Sequence, residues 1–250
     1  MLTALTLALL VSLAPAQEET PPPTPEQVEL AVSAIESGLE EHDLEATLAA
    51  IEAAKTVPHE DVTEALGEAA RTPELEIGVA ALDALGRIEH DSAVAELKKV
   101  RKKAKKLLDE EAWAIELWRA MGRRGDAELI DELADGSVTA QHFKVDRARI
   151  LALGKIRSPK SVEALMDLMK RIAIKEVNGF MDPFRASLGA LTGQDAGHNR
   201  PLWQAWWNDN KRSLALPEEE AVIENKKIRV VWEGFWKDRK QKDDEGDGGR

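Results

Sequence analysis

Apolar side chains recur about every 3.6 residues along most of this chain, which is the period of an amphipathic α-helix. No alternating run of strand length occurs before Ile228, so the pattern predicts an almost wholly helical fold. Nine segments follow an Asp or a Pro, residues that favour the first turn of a helix. These predicted helix starts are Pro25, Asp43, Pro58, Pro73, Asp91, Asp109, Asp126, Pro159 and Pro183.

The helical segments also repeat one another. The triplet ALG occurs at residues 84–86 and 152–154, each time before a basic residue and an isoleucine, and MG stands in the equivalent place at 121–122. Residues 48–54 have the same helix without its glycine, and residues 187–193 form a fifth copy. The last residues of these elements lie 32 to 39 residues apart, which is typical of repeated helix pairs. We expect each glycine to end the first helix of its pair in a left-handed conformation.

This pattern, A-L-G-[RK]-I followed by a second helix that starts with Ser and Val, resembles HEAT repeats of the bacterial PBS-lyase-like type. The resemblance covers about residues 28–210. It implies an all-α fold, a right-handed α–α superhelix or armadillo-type solenoid of about five helix pairs. Such solenoids are mostly non-catalytic binding surfaces, so the resemblance implies a scaffold with a protein partner. We expect the second helices of successive pairs to line its groove.

The ends of the chain differ in composition from the repeats. The N-terminal run is apolar, too short to span a bilayer, and ends in small residues, which predicts a signal peptide cut near Ala16-Gln17. The mature protein is therefore expected to be secreted or periplasmic, without stable membrane insertion; an uncleaved anchor is the alternative. The predicted parts are a signal peptide (1–16), a Pro-rich linker (17–25), the repeat domain (26–215), a C-terminal arm packing on the solenoid (216–236) and a disordered charged tail (237–250).

Five of the seven tryptophans lie in the last 50 residues. Gly193 and Gly197 are predicted to form a loop, after which Trp203, Trp206 and Trp207 share one face of a helix. This segment resembles the terminal LTG…G…W..WW..N segment of secreted bacterial HEAT-repeat proteins. We predict that these residues form a structural cap on the open end of the stack. The alternative is an aromatic platform for a sugar or peptide.

Residues 228–236 are rich in β-branched and aromatic residues, a composition that suits a short strand or an extended arm. Trp232 and Trp236, with Phe235, either present an exposed anchor to a partner or pack back on the last repeat. We favour packing, because exposed indoles reduce solubility.

A basic run stands out in a chain whose net charge is −12. The excess of acids argues against nucleic-acid binding, which requires a basic footprint. Apolar residues keep helical spacing through residues 94–107, so the bases are expected on the exposed face of a long second helix. They form either a solvated face or a patch for an acidic protein, polysaccharide or lipid headgroup. The candidate partner-binding residues are Lys98, Lys99, Arg101, Lys102, Lys103, Lys105 and Lys106.

Candidate chemistry is sparse. The chain has no cysteine, which excludes disulfides, thiolate metal sites and a cysteine nucleophile. Repeated His-Glu pairs would suggest the di-iron site of deoxyhypusine hydroxylase-like proteins, but only His59-Glu60 qualifies. No nucleotide-binding or hydrolase motif occurs. We therefore predict no catalytic residues, no cofactor and no metal, and a protein that is not an enzyme. The alternative function is an accessory subunit or carbohydrate-binding protein that uses the Trp-rich loop. The oligomeric state stays open.

Overall fold

A computed structural model describes residues 21–238 of the chain. The predicted signal peptide, the first four residues of the linker and most of the charged tail lie outside these residues. Within them the chain forms twelve α-helices and no β-strand, which confirms the all-α prediction. The helices are α1 Pro25–Glu40, α2 Leu44–Ala54, α3 Glu60–Ala69, α4 Leu75–Arg87, α5 Ser92–Lys103, α6 Glu111–Arg124, α7 Ile130–Ala134, α8 Phe143–Lys155, α9 Pro159–Arg171, α10 Ile174–Thr192, α11 Arg200–Asn210 and α12 Lys226–Trp236.

Side chains at the predicted starts satisfy the free N–H groups of several helices. Thr24 and Gln27 form a reciprocal capping box at α1, and the Asp43 carboxylate accepts from the Ala46 N–H at 3.0 Å. Pro159 occupies the first turn of α9, where its missing N–H costs nothing. Most of the Asp and Pro signals therefore lie within two residues of a helix start.

Two signals differ: Asp126 caps the 3₁₀ turn Ala127–Leu129 before α7, and Pro183 lies inside α10 rather than at its start. A proline there removes one helical hydrogen bond and costs about 3 kcal/mol in an isolated helix. Phe180 and Phe184 flank it on the buried face of α10, at 1% and 0% exposure. Burial of two aromatic side chains offsets the loss, since each contributes about 2–3 kcal/mol. Packing therefore decides the helix boundary here.

The helices lie in two layers. In the first layer α1 neighbours α3, α3 neighbours α5, α7 neighbours α9 and α9 neighbours α11, while α5 contacts the 3₁₀ turn Ala127–Leu129 that precedes α7. Successive even-numbered helices neighbour one another in the second layer. Most consecutive helices from α1 to α10 pack across the two layers, with the apolar core between them. We call the second the even layer. No helix within residues 21–238 combines the length and apolar character needed to cross a membrane.

The predicted left-handed helix end is wrong for three of the four repeated glycines, because Gly86, Gly122 and Gly154 lie inside α4, α6 and α8. Gly193, the glycine of the fifth copy, does end α10 in that conformation, with a φ of 73°. The three glycines inside helices must therefore serve another purpose.

That purpose is close packing within the even layer. Each glycine faces a small residue on the next even helix, and an added Cβ would lie too close to its backbone. The crossings are Gly86 on Ala120 at 2.8 Å, Gly122 on Ala152 at 2.9 Å and Gly154 on Ser187 at 2.6 Å, from the added Cβ to the partner's Cα. Each small residue stands two positions before the glycine of its own helix. By this register the fifth copy ends at Gly189, and not at Gly193.

Buried Arg149 holds the loop between α7 and α8. Its guanidinium pairs with Asp146 at 2.9 Å and donates to the carbonyls of Leu133 and Ser137 at 3.2 and 3.1 Å. Both charged side chains are less than a tenth exposed. Burial lowers the pKa of Arg149, and the Asp146 charge opposes that shift. The pair thus satisfies carbonyls that the end of a short helix leaves free.

The C-terminal arm contains a helix, so the predicted strand is wrong. Ile228, Trp232 and Phe235 recur at helical spacing and are buried on one face of α12. Asn225 caps the helix by accepting from the N–H groups of Lys227 and Ile228. The Val230-Val231-Trp232 run suggests a strand, but burial of a single face selects the helix.

Candidate interaction surfaces

A groove of about 750 Å³ opens on the even layer, between α2, α4 and α6. These are the first helices of the predicted pairs, whereas the sequence pattern predicts the second helices at the groove. We call it the even-layer groove. Its floor is apolar and one wall is charged. The lining includes Leu48, Val79 and Ala80 on the floor, Lys55, Asp83 and Arg87 on the wall, and Asp238 at one end.

Asp83 is the centre of the charged wall. Its carboxylate lies 2.8 Å from the Lys55 ammonium and 3.1 Å from Nε of Arg87, and it also accepts from Arg123. Burial would raise the pKa of Asp83. The hydrogen bond from Lys55 and the charges of Arg123, Lys55 and Arg87 outweigh burial and lower the pKa to about 2. Asp83 is therefore ionised throughout the physiological pH range.

The bases of this wall belong to a set that follows the repeat. Lys55, Arg87, Arg123 and Lys155 each come directly after the last residue of a repeated element. We call these four residues the basic ladder. The first three share Asp83, whereas Lys155 lies farther along the even layer, on α8. One sequence position thus places cations on successive even helices.

The C-terminal arm lies on this ladder. Lys155 pairs with Glu220 of the arm at 2.7 Å, and Arg87 pairs with Asp238. The Lys155 ammonium also lies 5.7 Å from the ring centroids of both Trp232 and Trp236. Carboxylates and aromatic rings of the arm therefore meet cations of the even layer along a track from α8 to α4.

The same track shows where the two candidate tryptophans lie. Trp232 is 4% exposed, and its indole N–H donates to Glu220 at 2.8 Å. Trp236 is partly buried against α6, where its ring occupies the space that a side chain at Gly122 would need. Phe235 lies beneath the Arg119 guanidinium at 4.7 Å. Both tryptophans thus make contacts within the chain, and Trp232 is closed to a partner in this conformation.

The Trp-rich segment lies at one end of the first layer, the layer of odd-numbered helices, where α11 packs on α9. Trp203 is fully buried and its indole N–H donates to the Gly197 carbonyl at 2.9 Å. Trp207 is 7% exposed, and Trp206 is partly buried, edge to face with Trp203 at 5.9 Å. Gly193 ends α10 with a φ of 73°, and Gly197 has a φ of 68°.

Charged groups beside these indoles are engaged with one another. The Arg185 guanidinium donates two hydrogen bonds, of 2.7 and 2.6 Å, to the Asp195 carboxylate, and these bonds lower the pKa of Asp195. Asp182 accepts from His198 at 2.5 Å and pairs with Lys227 at 3.3 Å. Burial would raise the pKa of Asp182, but these partners lower it. The loop is thereby tied to α10, and Asp182 ties α10 in turn to α12.

The basic run is divided by the end of a helix. α5 ends at Lys103, earlier than predicted, and a 3₁₀ turn follows over Lys105–Asp109. The first three bases pair with acids of neighbouring elements: Lys98 with Glu128 at 2.7 Å, Lys99 with Glu64 at 2.9 Å, and Arg101 with Glu132 and Asp135. Lys102, Lys103, Lys105 and Lys106 are exposed, and no carboxylate of residues 21–238 forms an ion pair with them.

His59 and His90 have local hydrogen-bond partners. His59 accepts from the Asp61 N–H at the start of α3, and the His90 ring is 2.6 Å from the Ser92 hydroxyl. His42 has a φ of 55° at the turn before α2. In the part of the chain that the structure describes, no three His, Asp or Glu side chains are grouped closely enough to hold a metal ion.

Comparison with known protein families finds no match, and a search of curated proteins finds no relative. The function is therefore inferred from the surfaces of the chain itself. The basic run is evident in the sequence, whereas the even-layer groove and its Asp83 wall are not. One signal for the wall is present in the sequence, namely the basic residue after each repeated element, and its meaning depends on the crossings that bring α2, α4 and α6 together.

Proposed function

We propose that this chain is an exported, non-catalytic scaffold that binds a segment of a partner protein in the even-layer groove. The observation that supports this most directly is that the even layer already holds a polypeptide segment. The chain's own arm lies there, anchored by aromatic side chains and by carboxylates on the basic ladder. The groove continues the same track beyond Asp238 towards α2.

The proposal includes a HEAT-like architecture for the two layers. The glycine crossings draw the even helices together, and a stack drawn together on one side curves towards that side. The even layer would then lie on the concave side of the right-handed superhelix that the resemblance to HEAT repeats implies. Extended concave surfaces are the ones that stacked helical repeats use for binding.

The electrostatics of the groove favour binding over catalysis. A general acid or base works best with a pKa near the operating pH. Asp83, the central carboxylate, has a pKa of about 2 and is held by three cations. Such a group orients its neighbours and fixes a surface, but it exchanges no proton near neutral pH. No observation supports the carbohydrate-binding alternative, because Trp203 is buried and its indole N–H is hydrogen-bonded within the loop.

A site-specific photo-crosslinker tests the groove in cells. A photoreactive residue at Ala80, on the groove floor, should give a defined adduct, whereas one at exposed Ala205 on α11 should not. Leu75→Lys at the groove rim should abolish the Ala80 adduct, because a charge would enter the apolar contact. Survival of the adduct in that variant, or equal adducts from both positions, would refute groove binding.

Export requires a separate test, because it depends on residues 1–16 alone. N-terminal sequencing of the protein from cell fractions should find a mature chain that begins at Gln17, outside the cytoplasm. A cytoplasmic chain that retains its first sixteen residues would refute export. That result would leave the groove proposal unaffected.

A further inference from the structure

The four unpaired lysines of the basic run lie on the opposite layer from the groove. Lys102 and Lys103 end α5, and Lys105 and Lys106 open the 3₁₀ turn that follows. All four are exposed. Four unpaired cations within five residues produce a local positive potential, and on a chain of net charge −12 this potential is opposite in sign to that of the molecule as a whole.

The neighbouring bases show that this excess is local. Lys98, Lys99 and Arg101 all have acidic partners on adjacent elements, and Arg101 also lies 5.8 Å from the Trp118 ring centroid. Ion pairs thus compensate the first part of the run and fix its geometry. The second part forms no ion pair among residues 21–238. Lys99 lowers the pKa of Glu64 most and the charge of Lys103 adds to that shift, but all four ammonium groups are exposed, so their charge is available to a ligand.

The shape beside the lysines distinguishes between ligands. Lys102 and Lys105 line a cleft of about 490 Å³, together with Leu108 and with Glu132 and Asp135, both of which pair with Arg101. Cations therefore outnumber acids in its lining. A flat anionic membrane could contact only the rim of a concave cleft, whereas a narrow extended segment can follow the lysines into it. Leu108 offers an apolar contact in the same cleft.

We propose that Lys102, Lys103, Lys105 and Lys106 form a second binding site, which takes an acidic, extended polypeptide segment of a partner protein. Carboxylates of that segment pair with the four ammonium groups, and its backbone lies along the cleft towards Leu108. The site is on the odd layer, so it acts independently of the even-layer groove. A partner could therefore be held on one layer while a second is bound on the other.

Binding of a fluorescent decaglutamate peptide to the full chain tests the proposal by anisotropy. Replacement of all four lysines with glutamine should weaken binding by at least about tenfold, because several exposed ion pairs are lost together. The matched control replaces Lys160, Lys175, Lys211 and Lys226, which are exposed and without an ion pair to the described residues, and changes the net charge equally. The control should bind within about twofold of the parent chain. Thermal melts of both variants should match the parent chain, since exposed unpaired side chains are replaced.

Added salt should weaken peptide binding by the parent chain, as screening of exposed charges requires. Equal loss in both variants would show that only net charge matters, and would overturn the site. Absence of peptide binding together with co-sedimentation on phosphatidylserine vesicles would instead identify a membrane surface, and would also overturn it. Peptide binding that depends on the four lysines, without vesicle binding, is the supporting result.

Discussion

The glycine crossings of the even layer predict that replacing glycine by alanine lowers stability, which is the opposite of its usual effect inside a helix. Replacement of glycine by alanine inside a helix ordinarily stabilises it, by about 1 kcal/mol, because alanine has less freedom to lose. At Gly154 the new Cβ would lie 2.6 Å from the Ser187 Cα. Ordinary contact begins near 3.4 Å, so α8 and α10 must separate by most of an ångström. We therefore expect Gly154→Ala to destabilise the protein.

The size of the effect follows from two losses. Overpacking of a close-packed site costs about 1–3 kcal/mol. Separation of the helices also weakens the buried bond from the Ser187 hydroxyl to the Ile150 carbonyl, now 2.8 Å, which contributes about 1 kcal/mol. Set against the gain from helix propensity, a net loss of about 2 kcal/mol remains. For a domain of this size that lowers Tm by about 4–8 °C.

Calorimetry or thermal circular dichroism measures this, with Gly179→Ala as the matched control. Gly179 is an exposed residue inside α10, and its added Cβ would meet only the Phe143 ring, at 3.9 Å. The control should raise Tm by a few degrees, since only helix propensity changes. The variant Gly154→Asn distinguishes between two roles for this glycine, a close helix crossing and a left-handed helix end. Asparagine tolerates the left-handed region, so a helix end would accept it better than alanine, whereas a close crossing accepts it less well. Stabilisation by Gly154→Ala would refute the close-packing account.

Three further predictions concern the core, the wall and the buried ion pair. Trp203→Ala should cost about 3–5 kcal/mol in urea denaturation, and Trp206→Ala distinctly less, because only Trp203 is fully buried; equal losses would contradict this. Asp83 has a folded pKa of about 2, below its unfolded value near 4, so it contributes about 2 kcal/mol above pH 4 that is lost as the pH falls through 2. Stability measured against pH should lose this dependence in Asp83→Asn, and an unchanged profile would show that other carboxylates dominate. Arg149→Met should cost about 3–5 kcal/mol by leaving Asp146 buried without its cation, and a loss under about 1 kcal/mol would show that the pair is solvated.

The helical period predicts the all-α class and most helix starts correctly, because both are local properties. A buried stripe every 3.6 residues and an Asp or Pro at its beginning act within a few residues of chain. Pro183 shows the limit of this local information. Its effect on helix geometry is the same everywhere, but the burial of Phe180 and Phe184 decides whether the helix continues through it.

The repeat is visible in the sequence, but the role of its glycine is not. A left-handed helix end and a close helix crossing both require glycine, so the residue type alone does not distinguish them. The distance from Gly154 to Ser187 decides in favour of the crossing. The basic residue after each element is also visible, yet only the crossings bring Lys55, Arg87 and Arg123 around one carboxylate.

By itself, then, the sequence determined the helical class, the period of the repeat and the position of the basic run. Those features follow from local propensity, side-chain periodicity and charge. The tertiary structure alone decided which lysines lack partners, where the arm lies and that a groove opens beyond Asp238. Those features depend on contacts between residues about 30 to 150 positions apart in the sequence. Local side-chain spacing does not predict such contacts.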